Sequence, residues 1–96
     1  MTMTKTTKWD AADTLRTPDD VAAYLEAVLE DGDSDLIVAA LGDIARSKGM
    51  TQVARDAKLT RASLYKALQS GSHPEFATVL KVLGALGLRL RIEKAA

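Results

Sequence analysis

"TQVARDAKLTRASLYKAL", residues 51–68, decides how the rest of the chain is read. Gln52 to Ala57 is a short run in which Val53 and Ala54 face inward. Lys58 and Leu59 interrupt it. Thr60 then stands where a side-chain oxygen caps a new helix, with Ser63 three residues on. Leu64 and Leu68 recur one turn apart on one face. The spacing predicts two short helices, 51–57 and 60–69, joined by a tight turn. Leu64 and Leu68 must face a core and Ala67 lies near the packing edge. Thr60, Arg61, Ala62, Tyr65 and Lys66 are left on the outer surface.

The flanking segments read as further helices. Thr17-Pro18-Asp19-Asp20 has the order of a helix start: a capping hydroxyl, proline at the first helical position and acids at the positive end of the dipole. Val21, Leu25, Val28 and Leu29 follow at helical spacing, and Gly32 supplies a stop, so a helix spans 18–31. Asp33 caps the next, 34–48, whose apolar face is Ile37, Ala40, Leu41, Ile44 and Ala45. Arg46 and Lys48 fall in its last turn, and Gly49 closes it. After the loop "SGSHP", a helix over 75–86 is expected to bury Phe76, Val79, Leu80, Leu83 and Leu86. The period then changes to two. Leu88, Leu90 and Ile92 alternate with Arg89, Arg91 and Glu93, which predicts a half-buried strand over 88–93. Such a strand needs a partner, supplied by the segment around Trp9 or by a second copy of itself. The fold class expected is all-α: five helices and a short C-terminal β-strand. Residues 1–16 read as a flexible arm, and 17–96 as one domain.

Composition narrows the function. The chain has 96 residues, 47% of them hydrophobic, and no cysteine. That suits one small domain and excludes disulfides, thiolate zinc sites and a cysteine nucleophile. No apolar run approaches a membrane span, and the N-terminus lacks the apolar core of a secretory signal, so a cytoplasmic protein without a membrane partner is expected. The zero net charge hides a split. Residues 1–45 carry ten acids against three bases, and residues 46–96 carry ten bases against three acids. A basic half facing a polyanion and an acidic half facing something else would produce that division. Mutual neutralisation within one fold is the plainer account.

Two short helices around a tight turn have the length pattern of a helix-turn-helix. In that arrangement the second helix enters the major groove of double-stranded DNA, N-terminal residues first. Arg61 lies at the entering end, where its planar fork suits the O6 and N7 of guanine. Ala62 permits close approach, Lys66 lies one turn on, and Tyr65 offers a hydroxyl to a phosphate. Gln52, at the start of the first helix, can add an amide to a backbone phosphate. The same basic residues would also suit a solvated helix face, so it is the combined pattern that carries the reading. Catalysis has little support. The sole histidine, His73, sits in a turn-like loop, and no phosphate-binding glycine loop is present. Asp31, Asp33 and Asp35 lack the glutamate that a calcium loop requires. No cofactor, metal site or catalytic residue is expected.

Ala54 and Leu64, ten residues apart, match the helix-packing alanine and the apolar anchor of the lambda-repressor-like helix-turn-helix family, which the chain resembles. Over a longer span, "YLEAVLEDGD", "AALGDIARSKGMTQVARDAKLTRASLYKAL" and "FATVLKVLGALGLRL" are similar to addiction-module antidote proteins of the HigA-like type. The resemblance covers Trp9 to Leu90. It implies operator binding as a homodimer, autorepression of a toxin–antitoxin operon, and neutralisation of a RelE/ParE/HigB-like toxin, often on prophages. It places DNA contacts at Thr60, Arg61, Ala62 and Lys66, with Tyr65 alongside. Two positions depart from the pattern. Lys58 stands where the turn usually has glycine, so a positive φ is expected there. Ala67 replaces a larger aliphatic residue, whose packing Leu68 would take over. A stand-alone prophage-type repressor and a protein-interaction module are the competing functions.

Overall fold

The computed structural model describes residues 17–96 and contains five helices: α1 (Pro18–Asp31), α2 (Ser34–Lys48), α3 (Met50–Ala57), α4 (Arg61–Leu68) and α5 (Phe76–Ala85). The expected arm over 1–16, with Trp9, lies outside the described residues.

The first three helix starts have a local cause. The Thr17 hydroxyl accepts from the Asp20 N–H at 3.1 Å, and the Thr17 N–H donates back to the Asp20 carboxylate at 3.3 Å. This reciprocal box satisfies two backbone donors at once. Asp33 Oδ1 accepts from the N–H groups of Asp35 (2.9 Å) and Leu36 (3.4 Å) and starts α2. Gly49 alone separates α2 from α3. Its N–H donates to the Ala45 carbonyl at 2.8 Å, and its own carbonyl accepts from Val53 at 3.0 Å. Because that carbonyl already belongs to the next helix, α3 begins at Met50, one residue earlier than the sequence predicts.

The end of α3 decides where α4 goes. The Leu59 N–H reaches back to the Ala54 carbonyl at 2.9 Å, and the Lys58 N–H to the Arg55 carbonyl at 3.1 Å. This pair of bonds needs a left-handed residue between helix and exit. Lys58 is that residue, with φ 60° and ψ 42°, as its place in the turn predicts. The same device ends α5. There the Leu88 N–H bonds the Leu83 carbonyl at 2.9 Å and the Gly87 N–H the Gly84 carbonyl at 3.0 Å, with Gly87 at φ 81°. The second site uses the glycine that the geometry favours, and the first uses lysine at a cost of about 1 kcal/mol.

Helix α3 packs against α2, α4 and α5, and α1 packs on α2. The most deeply buried large side chains are Leu41, Val53, Leu64 and Val82, one from each of α2 to α5. Ala45 and Ala54 are small and buried beside them. Leu68 is buried and Ala67 only partly so, which gives Leu68 the packing role expected of it. Lys48 leaves the end of its own helix and donates from Nζ to the Ala85 carbonyl at 3.1 Å. A cation from α2 thereby sits at the negative end of α5. Arg46 pairs with the buried Asp43 at 2.8 Å. Burial pushes the Tyr24 phenol above its ordinary pKa of 10.0, and the Asp43 carboxylate adds to the rise.

Two expectations are corrected. Residues 88–93 form no strand, and among the described residues no other strand exists. A ladder needs a second backbone, and none of the described residues offers one. The last backbone hydrogen bond in this direction is the one from Leu88. Phe76 and Leu80 are not in the core. They are 65% and 42% exposed. The buried arc of α5 is centred on Val82, Leu83, Ala85 and Leu86, with Val79 half-buried. At 100° per residue, Phe76 and Leu80 turn past its edge. Leu29 of α1 is likewise 48% exposed, at the margin of the face that Val21 and Leu25 bury.

Three outcomes test these points. Lys58→Gly is expected to stabilise the fold by about 1 kcal/mol in urea unfolding, because the left-handed strain disappears. Leu64→Ala is expected to cost about 2 to 5 kcal/mol, since the side chain is fully buried. The unfolded chain releases the Tyr24 proton at lower pH than the folded chain. That contribution is therefore intact below pH 10.0 and declines above it. Tyr24→Phe should shallow the alkaline loss of the urea midpoint.

Candidate nucleic-acid interface

The six residues expected to meet DNA lie on α3, on α4 and in the turn before α4. All six are solvent-exposed. They fall into two groups with different internal bonding.

The first group belongs to α4. Thr60 has φ −74° and ψ 155°, and its hydroxyl accepts from the Ser63 N–H at 2.9 Å. The same hydroxyl donates to Ser63 Oγ at 2.8 Å. Capping therefore occupies Thr60 in both directions and fixes the axis of the helix. The N–H groups of Arg61 and Ala62 have no backbone or side-chain acceptor among the described residues, as the first turn of a helix dictates. One turn inward, the Arg61 guanidinium lies 5.2 Å from the centre of the Tyr65 ring. Its Nη2 donates to the Tyr65 hydroxyl at 3.1 Å. The ring thus supports the guanidinium through its face and its hydroxyl, a stacked geometry worth about 0.5 to 1 kcal/mol at an exposed site. Lys66 stands next to Tyr65 with no bonded partner among the described residues. Ala62, between the charged positions, keeps the surface low. Arg61, Tyr65 and Lys66 are thus presented by one short helix whose other face, Leu64 and Leu68, is buried.

The second group sits on α3. Gln52 Nε2 donates to both carboxylate oxygens of Asp56, at 3.0 and 3.1 Å, and Gln52 Oε1 accepts from Arg55 at 3.4 Å. The amide that the sequence assigns to a phosphate is thus already engaged. No hydrogen bond links this group to Arg61 or Tyr65 among the described residues. Arg55 and Asp56 were absent from the sequence-based set. Only the four-residue spacing of Gln52 and Asp56 hints at their pairing. An anion approaching here meets Asp56 as well as Arg55, so this group is less suited to phosphate than α4 is.

The remaining candidates separate from this surface. His73 is exposed in the loop before α5, where Ser72 Oγ donates to the Ala67 carbonyl. Among the described residues no group of three or more His, Cys, Asp or Glu side chains could hold a metal ion. No helix among them is long and apolar enough to cross a membrane. Of the acids, Asp19, Asp20, Glu26, Glu30 and Asp31 are exposed on α1, and Asp33 and Asp35 follow at the start of α2. The bases of the other half are spread over the end of α2 (Arg46, Lys48), α3 (Arg55), the turn (Lys58), α4 (Arg61, Lys66), α5 (Lys81) and the chain after it (Arg89, Arg91, Lys94).

Residues 5–94 match a family model described as probable addiction module antidote protein. An uncharacterized protein of Haemophilus influenzae is 43% identical over 87 residues, which cover 91% of this chain and 90% of that relative. No solved structure gives a significant match.

Arg61 makes its contacts at the surface, so Arg61→Ala is expected to change the unfolding free energy by no more than about 1 kcal/mol, the worth of its stacking on Tyr65. Urea titration of the variant checks this, and it separates any loss of binding from loss of fold.

Proposed function

This chain belongs to the family of probable addiction module antidote proteins, and from that premise we propose that it is a DNA-binding antitoxin. In this reading α3 and α4 form a helix-turn-helix of lambda-repressor-like, HigA-like type. Two copies bind an operator upstream of their own operon and repress it in the cytoplasm. The observation that carries the proposal is the surface of α4: Arg61 stacked on Tyr65, with Lys66 beside it, on a helix held by the left-handed turn at Lys58. Arg61 reads a base edge, Lys66 and Tyr65 meet base or phosphate, and Ala62 allows the approach. Thr60 serves mainly as the cap. Gln52 reaches a phosphate by releasing Asp56.

The partner neutralised is a basic toxin of the RelE/ParE/HigB-like kind, taken up by the acidic surface of α1. Charge complementarity speeds such an encounter and selects the partner. The family favours this reading over a stand-alone prophage-type repressor, which would have no toxin to bind. The protein acts by binding and carries out no reaction of its own.

A gel-shift with duplex DNA from upstream of its own gene tests the proposal, run with and without the adjacent gene product. Retardation should weaken steeply with salt. Arg61→Ala should reduce affinity by about tenfold or more, in line with the 1 to 3 kcal/mol of a bidentate base contact. Charge reversal at Glu26 and Glu30 should leave DNA binding intact and weaken co-purification of the neighbouring product. Duplex binding that ignores both salt and Arg61→Ala would rule out α4 as the reading helix.

A further inference from the structure

We propose that residues 89–93 of two copies of this chain pair as antiparallel strands about a two-fold axis at Arg91, and that this ribbon is the dimer interface. The proposal deepens the dimeric reading above and rests on it.

The segment has a strand's sequence without a strand's partner. Leu88, Leu90 and Ile92 alternate with Arg89, Arg91 and Glu93. Beyond Leu88 no backbone group is hydrogen-bonded among the described residues. Leu88 is half-buried on the core, Leu90 is 42% exposed and Ile92 is 94% exposed. An unpaired edge of this composition is a template for another chain.

The charges choose the second copy and set the register. With the axis at Arg91, Leu90 stands opposite Ile92 of the other copy, twice over. Arg89 stands opposite Glu93, also twice. Opposed apolar pairs and opposite charges are the pairs that stabilise antiparallel strands. Moving the axis to Leu90 would set Arg89 against Arg91 twice. Moving it to Ile92 would set Leu90 against Lys94 twice. A slip by a single residue of one strand would put leucines opposite arginines. Leu88, whose N–H already bonds the Leu83 carbonyl, and Lys94 lie outside the five-residue ladder, so the pair at the axis, Arg91 with Arg91, is its one unfavourable contact, at an exposed position where water screens it.

A two-stranded ribbon is marginal unless something covers one face. Here α1 supplies the cover. Leu25 and Leu29 of α1, with Leu83, Leu88 and Leu90, are the leucines of a groove of about 340 Å³ that Ala22, Glu26, Arg89, Arg91 and Glu93 also line. In the register above, Ile92 of the second copy stands over Leu90 at the mouth of that groove. The exposed isoleucine of each copy thereby gains an apolar seat on the other.

Sedimentation equilibrium of the full chain, without DNA, tests this. A dimer is expected. Ile92→Asp should weaken it at least tenfold, with the circular dichroism of the helices unchanged. Arg89→Glu and Glu93→Arg should each weaken it, and the double variant should restore it, which loss of fold could not do. The chain has no cysteine, so Arg91→Cys places a single thiol at the axis. Oxidation should join that variant into a covalent dimer and should leave Ser70→Cys uncoupled. A monomeric wild-type chain, with the segment satisfied by residues 1–16 or by nothing, overturns the proposal. A dimer that survives removal of residues 88–96 also overturns it, and transfers the interface to the exposed Phe76 and Leu80 face of α5. The DNA reading stands or falls separately by gel-shift: a monomer that shifts its operator ends the ribbon alone, and a dimer that shifts nothing ends the operator reading alone.

Discussion

Everything that α4 can offer to a partner depends on two hydrogen bonds at the end of α3. The bonds from Leu59 to the Ala54 carbonyl and from Lys58 to the Arg55 carbonyl turn the chain within two residues. Leu59 is thereby pulled partly into the core, and Thr60 is left in the extended conformation that lets its hydroxyl cap α4. From that cap the helical repeat leaves no choice. Leu64 and Leu68 enter the core, and Arg61, Tyr65 and Lys66 remain outside. A strained lysine at the centre of this turn is tolerated because the fold over-determines it: Ala54, Ala57, Leu64 and Leu68 are all buried around it.

The same economy divides the charge. The acids collect on α1 and the start of α2, and the bases run from the end of α2 through α3, the Lys58 turn, α4 and α5 to the segment after α5. Only a few of these charges pair within the molecule. Asp43 with Arg46 is the single salt bridge among the described residues. That pair joins the last acid of the acidic half to the first base of the basic half. The acids exposed on α1 and the bases exposed on α4 are what the proposed toxin and operator contacts would use.

Much of the architecture was legible because local chemistry decided it. Thr17, Asp33 and Thr60 are side chains whose oxygens cap helices wherever the backbone allows, and each does so here. Gly32 stops α1, and the expected bounds of α1 and α2 are met. The exposure of Arg61, Tyr65 and Lys66 followed from the burial of Leu64 and Leu68. What was not legible depended on distant partners. Phe76 and Leu80 have the right residue types for a core, but α3 meets α5 on an arc that leaves them outside. Val82, which sits at its centre, was overlooked for the same reason. The stacking of Arg61 on Tyr65 and the engagement of Gln52 by Asp56 are side-chain choices among several neighbours, and spacing alone does not select one. The strand over 88–93 was read from a true alternation, yet alternation describes one edge and a sheet requires two.

Gly49 shows how little slack the centre of the molecule has. One residue ends α2 and begins α3, at φ 112° and ψ 113°. A Cβ there would meet nothing within 4 Å, so the exclusion of other side chains comes wholly from the backbone angles. No compensating change in a neighbour can relieve it. The junction is also too short to absorb an inserted or deleted residue, since either would break the bond to Ala45 or the bond from Val53 and rotate α3 about its own axis by 100°. The α2–α3 joint is therefore expected to tolerate neither another residue type nor another length.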